Sequence, residues 1–297
     1  FKENAVNLNV LWYKTQGIRP LCLYHFPCTD GFTAWWAVHK AFDGEVDGFP
    51  IDYKDPIPEE CAGRHVICVD FCPDQEKLDP LVAMVQHLVI LDHHPRSASA
   101  LKNFKERGEN KKVMVEFDLK RSGAGITWDY FHDTQRPTIV NYAEDRDLWR
   151  KALPHSEEFT AFLGAHPFTL NNWYHLANTK PEDIVTIGDV LLRKRKLDVE
   201  SIAEQTATLI TVDGKTIPIM NCQHSLSSDA CHHLLKLHPK APYALSYHIQ
   251  SDGMVRFSIR SMNGAAHAAD VDVVAKKYDG GGHKHAAGFN IDARAAG

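Results

Sequence analysis

Acidic and imidazole side chains recur at the ends of three short apolar runs. Leu21–His25 ends in His25, with Cys28 and Asp30 just beyond it. The run HVICVD ends in Asp70, and LVILD ends in Asp92 with His93 and His94 directly after. Carboxylates and imidazoles gathered at one sheet edge repel unless neutralised, and a divalent cation neutralises them. Oxygen and imidazole donors with little thiolate suit manganese, magnesium or zinc. Two such cations about 3.5–4 Å apart, bridged by one carboxylate, are the usual engine of phosphoester hydrolysis. They lower the pKa of a shared water and clamp the attacking and leaving oxygens. One aspartate at a strand end is more often a turn or helix cap. The same residue types at successive strand ends favour the metal.

Two other segments carry candidate chemistry. NYAEDRDLW offers the carboxylates of Asp145 and Asp147, one for the metal or both for a solvated helix end beside Arg146 and Arg150. GGGHKHAAG places Gly280, Gly281 and Gly282 where backbone must approach something closely. Its amides could hold an anion as a nest, with His283, Lys284 and the distant Arg260 adding charge. This favours phosphate or nucleotide binding over a plain glycine turn. Cys231-His232-His233 lies in a helical pattern, where adjacent residues do not share a face, and reads as surface or core. Cys68 and Cys72 read as small core residues. Neither a GxSxG elbow nor a Walker A loop is present.

The elements that must position these groups alternate. Leu21–His25, His65–Asp70, Leu88–Asp92 and Lys112–Phe117 read as strands, with helical patterns over Phe32–Phe42 and Asp74–Val85. This is the pattern of β-α units and a parallel sheet covered on both faces. Such sheets bind ligands beyond the carboxyl ends of their strands, where His25, Asp70 and Asp92 fall. From Ser122, a plausible N-cap, the chain turns helical, through Thr138–Ala143 and a long stretch from Pro181 to about Leu209. Within that stretch RKRKL reads as a solvated face. After the turn VDGK come strands over Thr216–Met220, Tyr243–Tyr247, Val255–Ile259 and Phe289–Ile291, with helices over Asp229–Leu237 and Val271–Lys277. Pro218 makes Thr216–Met220 an edge strand at best. The fold class is therefore α/β, with a domain boundary near residues 185–212.

Composition narrows the function. The 297 residues suit about two domains, and the net charge of −5 excludes a generally basic coat for nucleic acid while allowing a local basic cleft. No apolar run is long enough to span a membrane. FKENAVNLNV lacks a secretory pattern. Seven cysteines without a CxxC read as reduced thiols in a cytoplasmic protein.

In order and spacing, HFPCTDG, HVICVD, LDHH, AEDRD and GGGHKHAAGF resemble the DHH phosphoesterases with the DHH-associated C-terminal domain. RecJ-type exonucleases, bacterial nanoRNases and cyclic-dinucleotide phosphodiesterases belong to that group. The resemblance runs from about Leu21 to Ile291. It is specific for the superfamily and not for the substrate. The GGGH loop sets the chain apart from the family-two pyrophosphatases, which carry a different C-terminal domain. The resemblance implies that Asp30 and His93 are metal ligands and that Asp70 bridges two manganese ions. Asp92 opens the signature, and His94 lies near the scissile phosphate as hydrogen-bond donor or acid. Asp145, in preference to Asp147, matches the fourth-motif ligand, and Gly280 to His283 match the substrate-holding loop. One departure concerns the first metal site. Cys28 stands where the family has an acid, and His25 lies three residues before it where four is commoner. Cys28 is then a thiolate that favours a softer metal such as zinc, or one metal suffices.

The expected architecture is a parallel-sheet DHH domain over 1–185, a helical linker over 186–212 and a smaller substrate-binding α/β domain over 213–297, with the active site in the cleft between the domains. The expected function is a manganese-dependent phosphodiesterase that removes nucleotides from short single-stranded oligonucleotides in the cytoplasm, with a homodimer as the candidate assembly. A cyclic-dinucleotide or 3′-phosphorylated-nucleotide hydrolase is the alternative enzyme. A nucleotide sensor that has lost catalysis is the non-enzymatic one.

Overall fold

A computed structural model describes residues 7–95, 97–106, 112–292 and 294. The opening residues FKENAV of the segment read for a secretory pattern lie outside them. The chain divides into two compact units, residues 1–189 and 190–297.

The first unit contains α1 (Leu8–Thr15), β1 (Leu21–His25), α2 (Thr29–Ala41), β2 (Asp47–Ile51), β3 (His65–Val69), α3 (Gln75–Met84), β4 (His87–Asp92), α4 (Ser97–Glu106) and β5 (Val113–Phe117). Four helices follow: α5 (Gly123–Phe131), α6 (Thr138–Asp147), α7 (Ser156–Gly164) and α8 (Leu170–Asn178). The five strands form one parallel sheet in the order β2-β1-β3-β4-β5. Alternate residues feed opposite cores, as the strand period of two requires. Cys22, Tyr24, Ile67, Val69, Val89 and Leu91 face a core with Trp36 of α2 and Trp128 of α5. Leu23, Val66, Cys68, Leu88 and Ile90 face the other, with Leu78 and Leu81 of α3. Both faces are covered, which is why these strands read as continuous apolar runs.

The sequence pattern gave no strand over Asp47–Ile51, because DGFPI contains Gly48 and Pro50. β2 is an edge strand, where a missing N–H costs no ladder bond. Helix α1, unread in the sequence, closes the far end of the sheet. Its Trp12 ring lies 5.4 Å from His65 and 5.7 Å from His87, the first residues of β3 and β4.

Helix α9 (Pro181–Thr206) contains the division between the units. The second unit continues with β6 (Thr208–Val212), β7 (Lys215–Asn221), α10 (Ser227–Leu237), β8 (Ala244–Ile249), β9 (Met254–Arg260), α11 (Val271–Lys276), β10 (Gly281–His283) and β11 (Ala286–Asp292). Its mixed sheet has the order β10-β11-β9-β8-β7-β6. Two expectations are corrected here. Leu209 belongs to a strand and not to the end of the long helix, because Asp213 and Gly214 both adopt left-handed backbone and fold β6 onto β7. β7 is not an edge strand: β8 pairs with it from Ile219 onward, just past Pro218, so the missing N–H takes nothing from that ladder. All seven cysteines are free. Among the described residues no helix is long and apolar enough to cross a membrane.

Candidate metal centre

The order β2-β1-β3-β4-β5 reverses direction between β1 and β3, and doubly wound sheets bind their ligands at that crevice. His25 is the last residue of β1, Asp92 the last of β4, and Asp70 directly follows β3. Asp70 adopts left-handed backbone, φ 53°, which Asp tolerates better than most residues. α2 begins at Thr29, so Asp30 lies in its first turn. The carboxylate of Asp30 accepts the first amides of α5, from Gly123 at 2.6 Å and Ala124 at 3.1 Å. A Cβ on Gly123 would lie 2.4 Å from that of Asp70, so only glycine lets α5 start there. Glu144 braces the same start by accepting from the Ser122 amide and pairing with Arg136 and Arg150.

Two ligand sets result. His25, Asp70 and His94 form one, and Asp30, Asp70 and His93 form the other. Within each, one donor atom per residue lies within 4.8 Å of the others. Asp70 is common to both. His25 Nδ1 lies 3.4 Å from Asp70 Oδ2, and neither buried atom has a hydrogen-bond partner. His93 Nε2 lies 3.2 Å from Asp70 Oδ1, 3.8 Å from Asp30 Oδ2 and 3.4 Å from Asp147 Oδ2. Unpartnered buried donors beside a cluster of carboxylates fit a pair of divalent cations. The donor set is oxygen and imidazole, which suits hard or borderline ions.

Charge crowding shows in the titration of the metal-free cluster. Burial and the charges of Asp70 and Asp147 hold the Asp30 carboxyl well above the usual range. Burial and Asp70 raise Asp147 as well. Burial opposes the charge on Asp70, but the neighbouring His25, His93 and His94 imidazoles win and bring it to about 2. Burial would depress His93, but Asp70, Asp30 and Asp147 carry it up to about 9. The sign follows for the metal-free chain. His93 stabilises it fully below pH 6.5, and that contribution is lost as pH rises through about 9. Asp30 acts in the same sense, because its folded form holds a proton that the unfolded form releases. Metal binding requires neutral imidazole. Metal affinity is therefore expected to rise at least about tenfold per pH unit from pH 6.5 toward 9. In chelator, the melting temperature should fall over that window. Calorimetric titration at several pH values checks the first, and a flat affinity would refute it.

The sequence-assigned residues distribute as follows. His25, Asp30, Asp70, His93 and His94 converge. Asp92 lies beside them, fully buried. Its Oδ1 accepts from His94 Nδ1 at 2.8 Å, which fixes the tautomer of that ring. Asp92 is thus placed to orient the His94 ring. Cys28 N-caps α2 near Asp70 and Asp30 but joins neither set, and burial and those charges push its thiol up, away from the thiolate. Of the two acids in AEDRD, the structure places Asp147, and not Asp145, beside the cluster. The Asp145 carboxylate is buried against Ser156 Oγ at 2.6 Å and the Ala152 amide at 2.9 Å, whereas Asp147 faces His93. Two residues went unread. Asp52 Oδ1 lies 3.9 Å from His25 Nε2, and the Tyr53 ring packs 5.3 Å from His25 and 5.9 Å from His94. Both follow β2, the strand that DGFPI concealed.

GGGHKHAAG is a hairpin rather than an open loop, with Gly281 opposite Gly288 and His283 opposite Ala286. The amides of Gly280 and Gly282 already donate, to Ala275 O and Asp272 Oδ1. A Cβ on Gly280 would lie 2.3 Å from Gly288 O. Hairpin closure therefore accounts for this glycine, and two of the three amides expected in an anion nest are taken. Ala286 pairs with both His283 and Arg260, so these three lie in one row across β10, β11 and β9.

No protein-family model matches the chain. An uncharacterized protein of Acanthamoeba polyphaga mimivirus is 26% identical over 292 residues, covering 90% of this chain and 66% of that protein. The chain thus spans just under two thirds of that relative's length. Among solved structures, the pGpG-specific phosphodiesterase PggH of Vibrio cholerae superposes with a TM-score of 0.55 at 12% identity, covering 94% of this chain and 95% of that one. The chain has the fold of a DHH phosphoesterase. RecJ of Thermus thermophilus, solved with manganese, matches with a TM-score of 0.49 at 14% identity, over 96% of this chain and 51% of that one. In this chain the DHH fold sets both ligand sets within the first unit and leaves the mixed sheet as the second.

Proposed function

We propose that the chain is a divalent-metal-dependent phosphodiesterase that releases nucleotides from short single-stranded oligonucleotides, with manganese the first choice of ion and magnesium or zinc the others. The observation that carries this reading is the sharing of Asp70 between two complete ligand sets. Two cations that share a carboxylate supply a lowered water pKa and charge stabilisation on the phosphoryl oxygens. The residues supply the rest. His25 and His94 with Asp70 would hold one ion, and Asp30, His93 and Asp147 with Asp70 the other. Asp92 accepts from Nδ1 of His94, which would leave Nε2 of that ring as the atom for the ion. In the second unit, Arg260 and His283 are assigned to the substrate phosphate, with Gly280, Gly281 and Gly282 closing the hairpin that presents His283. The similarity to an enzyme named for a linear dinucleotide favours a short substrate.

The test is a manganese-dependent time course on end-labelled single strands of two to about twenty nucleotides, with Asp92→Ala alongside. Loss of dinucleotides first, with the variant at least about 100-fold slower, supports the reading. Cleavage of cyclic dinucleotides alone moves the assignment to that class. Binding of nucleotides without cleavage of any substrate, and without retained metal, makes the chain a sensor.

A further inference from the structure

Arginines in this chain are generally held by acids. Arg64, Arg121, Arg136, Arg150, Arg195 and Arg294 each pair with a carboxylate. Two on β9 are not. Arg256 is exposed, and its side chain has neither a hydrogen bond nor an ion pair among the described residues. Arg260, half-buried, donates among the described residues only to the carbonyls of Ile259 and Ala287. The two lie four residues apart on one strand, hence on the same face, with Cα atoms about 13 Å apart.

Histidines gather beside them. His248 of β8 is the register partner of Arg256, which places both side chains on one face. The His224 ring, just before α10, lies 5.6 Å from the His248 ring. Burial depresses the His224 imidazole, and the charges that lower it further come from Arg256, His248 and Arg260, with no acid among them. In a chain of net charge −5 the two guanidiniums give this patch positive charge, and neither pairs with a carboxylate among the described residues. Folding does not require it, since isolated like charges contribute nothing to stability. A bound anion does.

We infer that Arg256, His224 and His248 form a second phosphate subsite beside Arg260, one that takes a further phosphodiester of an oligonucleotide strand. The inference rests on the nucleotide reading above for its ligand. Guanidinium forks match phosphate oxygens in pairs, and imidazole N–H groups add single donors. The two arginines span more than one phosphate. The patch therefore discriminates strands of two or more nucleotides from a mononucleotide, and it makes binding dependent on salt.

The experiment measures binding rather than cleavage. Fluorescence anisotropy in chelator compares a labelled mononucleotide with a labelled pentanucleotide, each over a series of salt concentrations. Arg256→Ala should weaken pentanucleotide binding about tenfold and reduce the salt slope by about one, while mononucleotide binding changes less than twofold. His224→Ala should act in the same direction, Arg256→Lys should recover much of the affinity, and Arg294→Ala should change nothing. Arg256 is exposed, so these variants are expected to fold, which circular dichroism verifies. Unchanged pentanucleotide affinity and slope in Arg256→Ala overturns the subsite. An equal loss for the mononucleotide overturns its assignment to a second phosphate. A chain that binds strands through Arg256 but cuts none refutes the hydrolase and leaves the subsite standing. One that cuts them with Arg256 irrelevant does the reverse. No binding of either ligand refutes both.

Discussion

Asp70→Asn is expected to lower the proposed phosphodiesterase activity at least about 1,000-fold, an effect of about 4 kcal/mol. Asp70 is the one carboxylate common to both ligand sets, so a single substitution damages both. Asparagine keeps the volume, and it tolerates the left-handed backbone that residue 70 adopts. The fold is therefore retained, and the loss is chemical. Metal analysis after gel filtration should show retained ions falling from about two per chain to fewer than one. Full activity in this variant would remove the basis for a shared-carboxylate centre.

The second large effect separates two acids that are neighbours in sequence. Asp147→Ala should weaken metal binding about 100-fold, since its carboxylate lies 3.4 Å from His93 Nε2. It should leave the metal-free melting temperature unchanged or raise it, because it relieves repulsion with Asp70 and Asp30. Asp145→Ala should do the opposite. It strands the Ser156 hydroxyl and the Ala152 amide at a cost of about 1–3 kcal/mol, or roughly 3–8 °C, and changes metal affinity less than threefold. Calorimetry and thermal melts on the two variants decide the assignment. Reversal of the pattern would restore Asp145 as the ligand.

The contrast shows what sequence can and cannot carry. The strand-end residues were legible because a parallel sheet fixes where its carboxyl ends lie, and apolar runs of period one mark buried strands. His25, Asp70 and Asp92 needed no tertiary information beyond that. Asp145 and Asp147 sit two apart near the end of α6, so they point to different sides. Which side faces the metal depends on how α6 packs, and AEDRD does not encode that alone. β2 was hidden because Gly48 and Pro50 look like a loop until the strand is known to be an edge. Asp52 and Tyr53 were lost with it. The glycines of the hairpin were noticed but misread in part, because close approach can be to the chain's own next strand as well as to a ligand. The cationic patch was invisible, since His224, His248, Arg256 and Arg260 are brought together only by strand register.

Asp30 has one further property. Each of its oxygens accepts an amide from the first turn of α5, Gly123 or Ala124. Any change in the charge of that carboxylate reaches two peptide groups directly. The amide resonances of Gly123 and Ala124 are thus built-in reporters of occupancy. With a diamagnetic ion such as magnesium, their chemical shifts would follow loading of the site holding Asp30, with no substrate and no turnover. The opening turn of α5 would serve as the gauge of the proposed metal centre as well as its support.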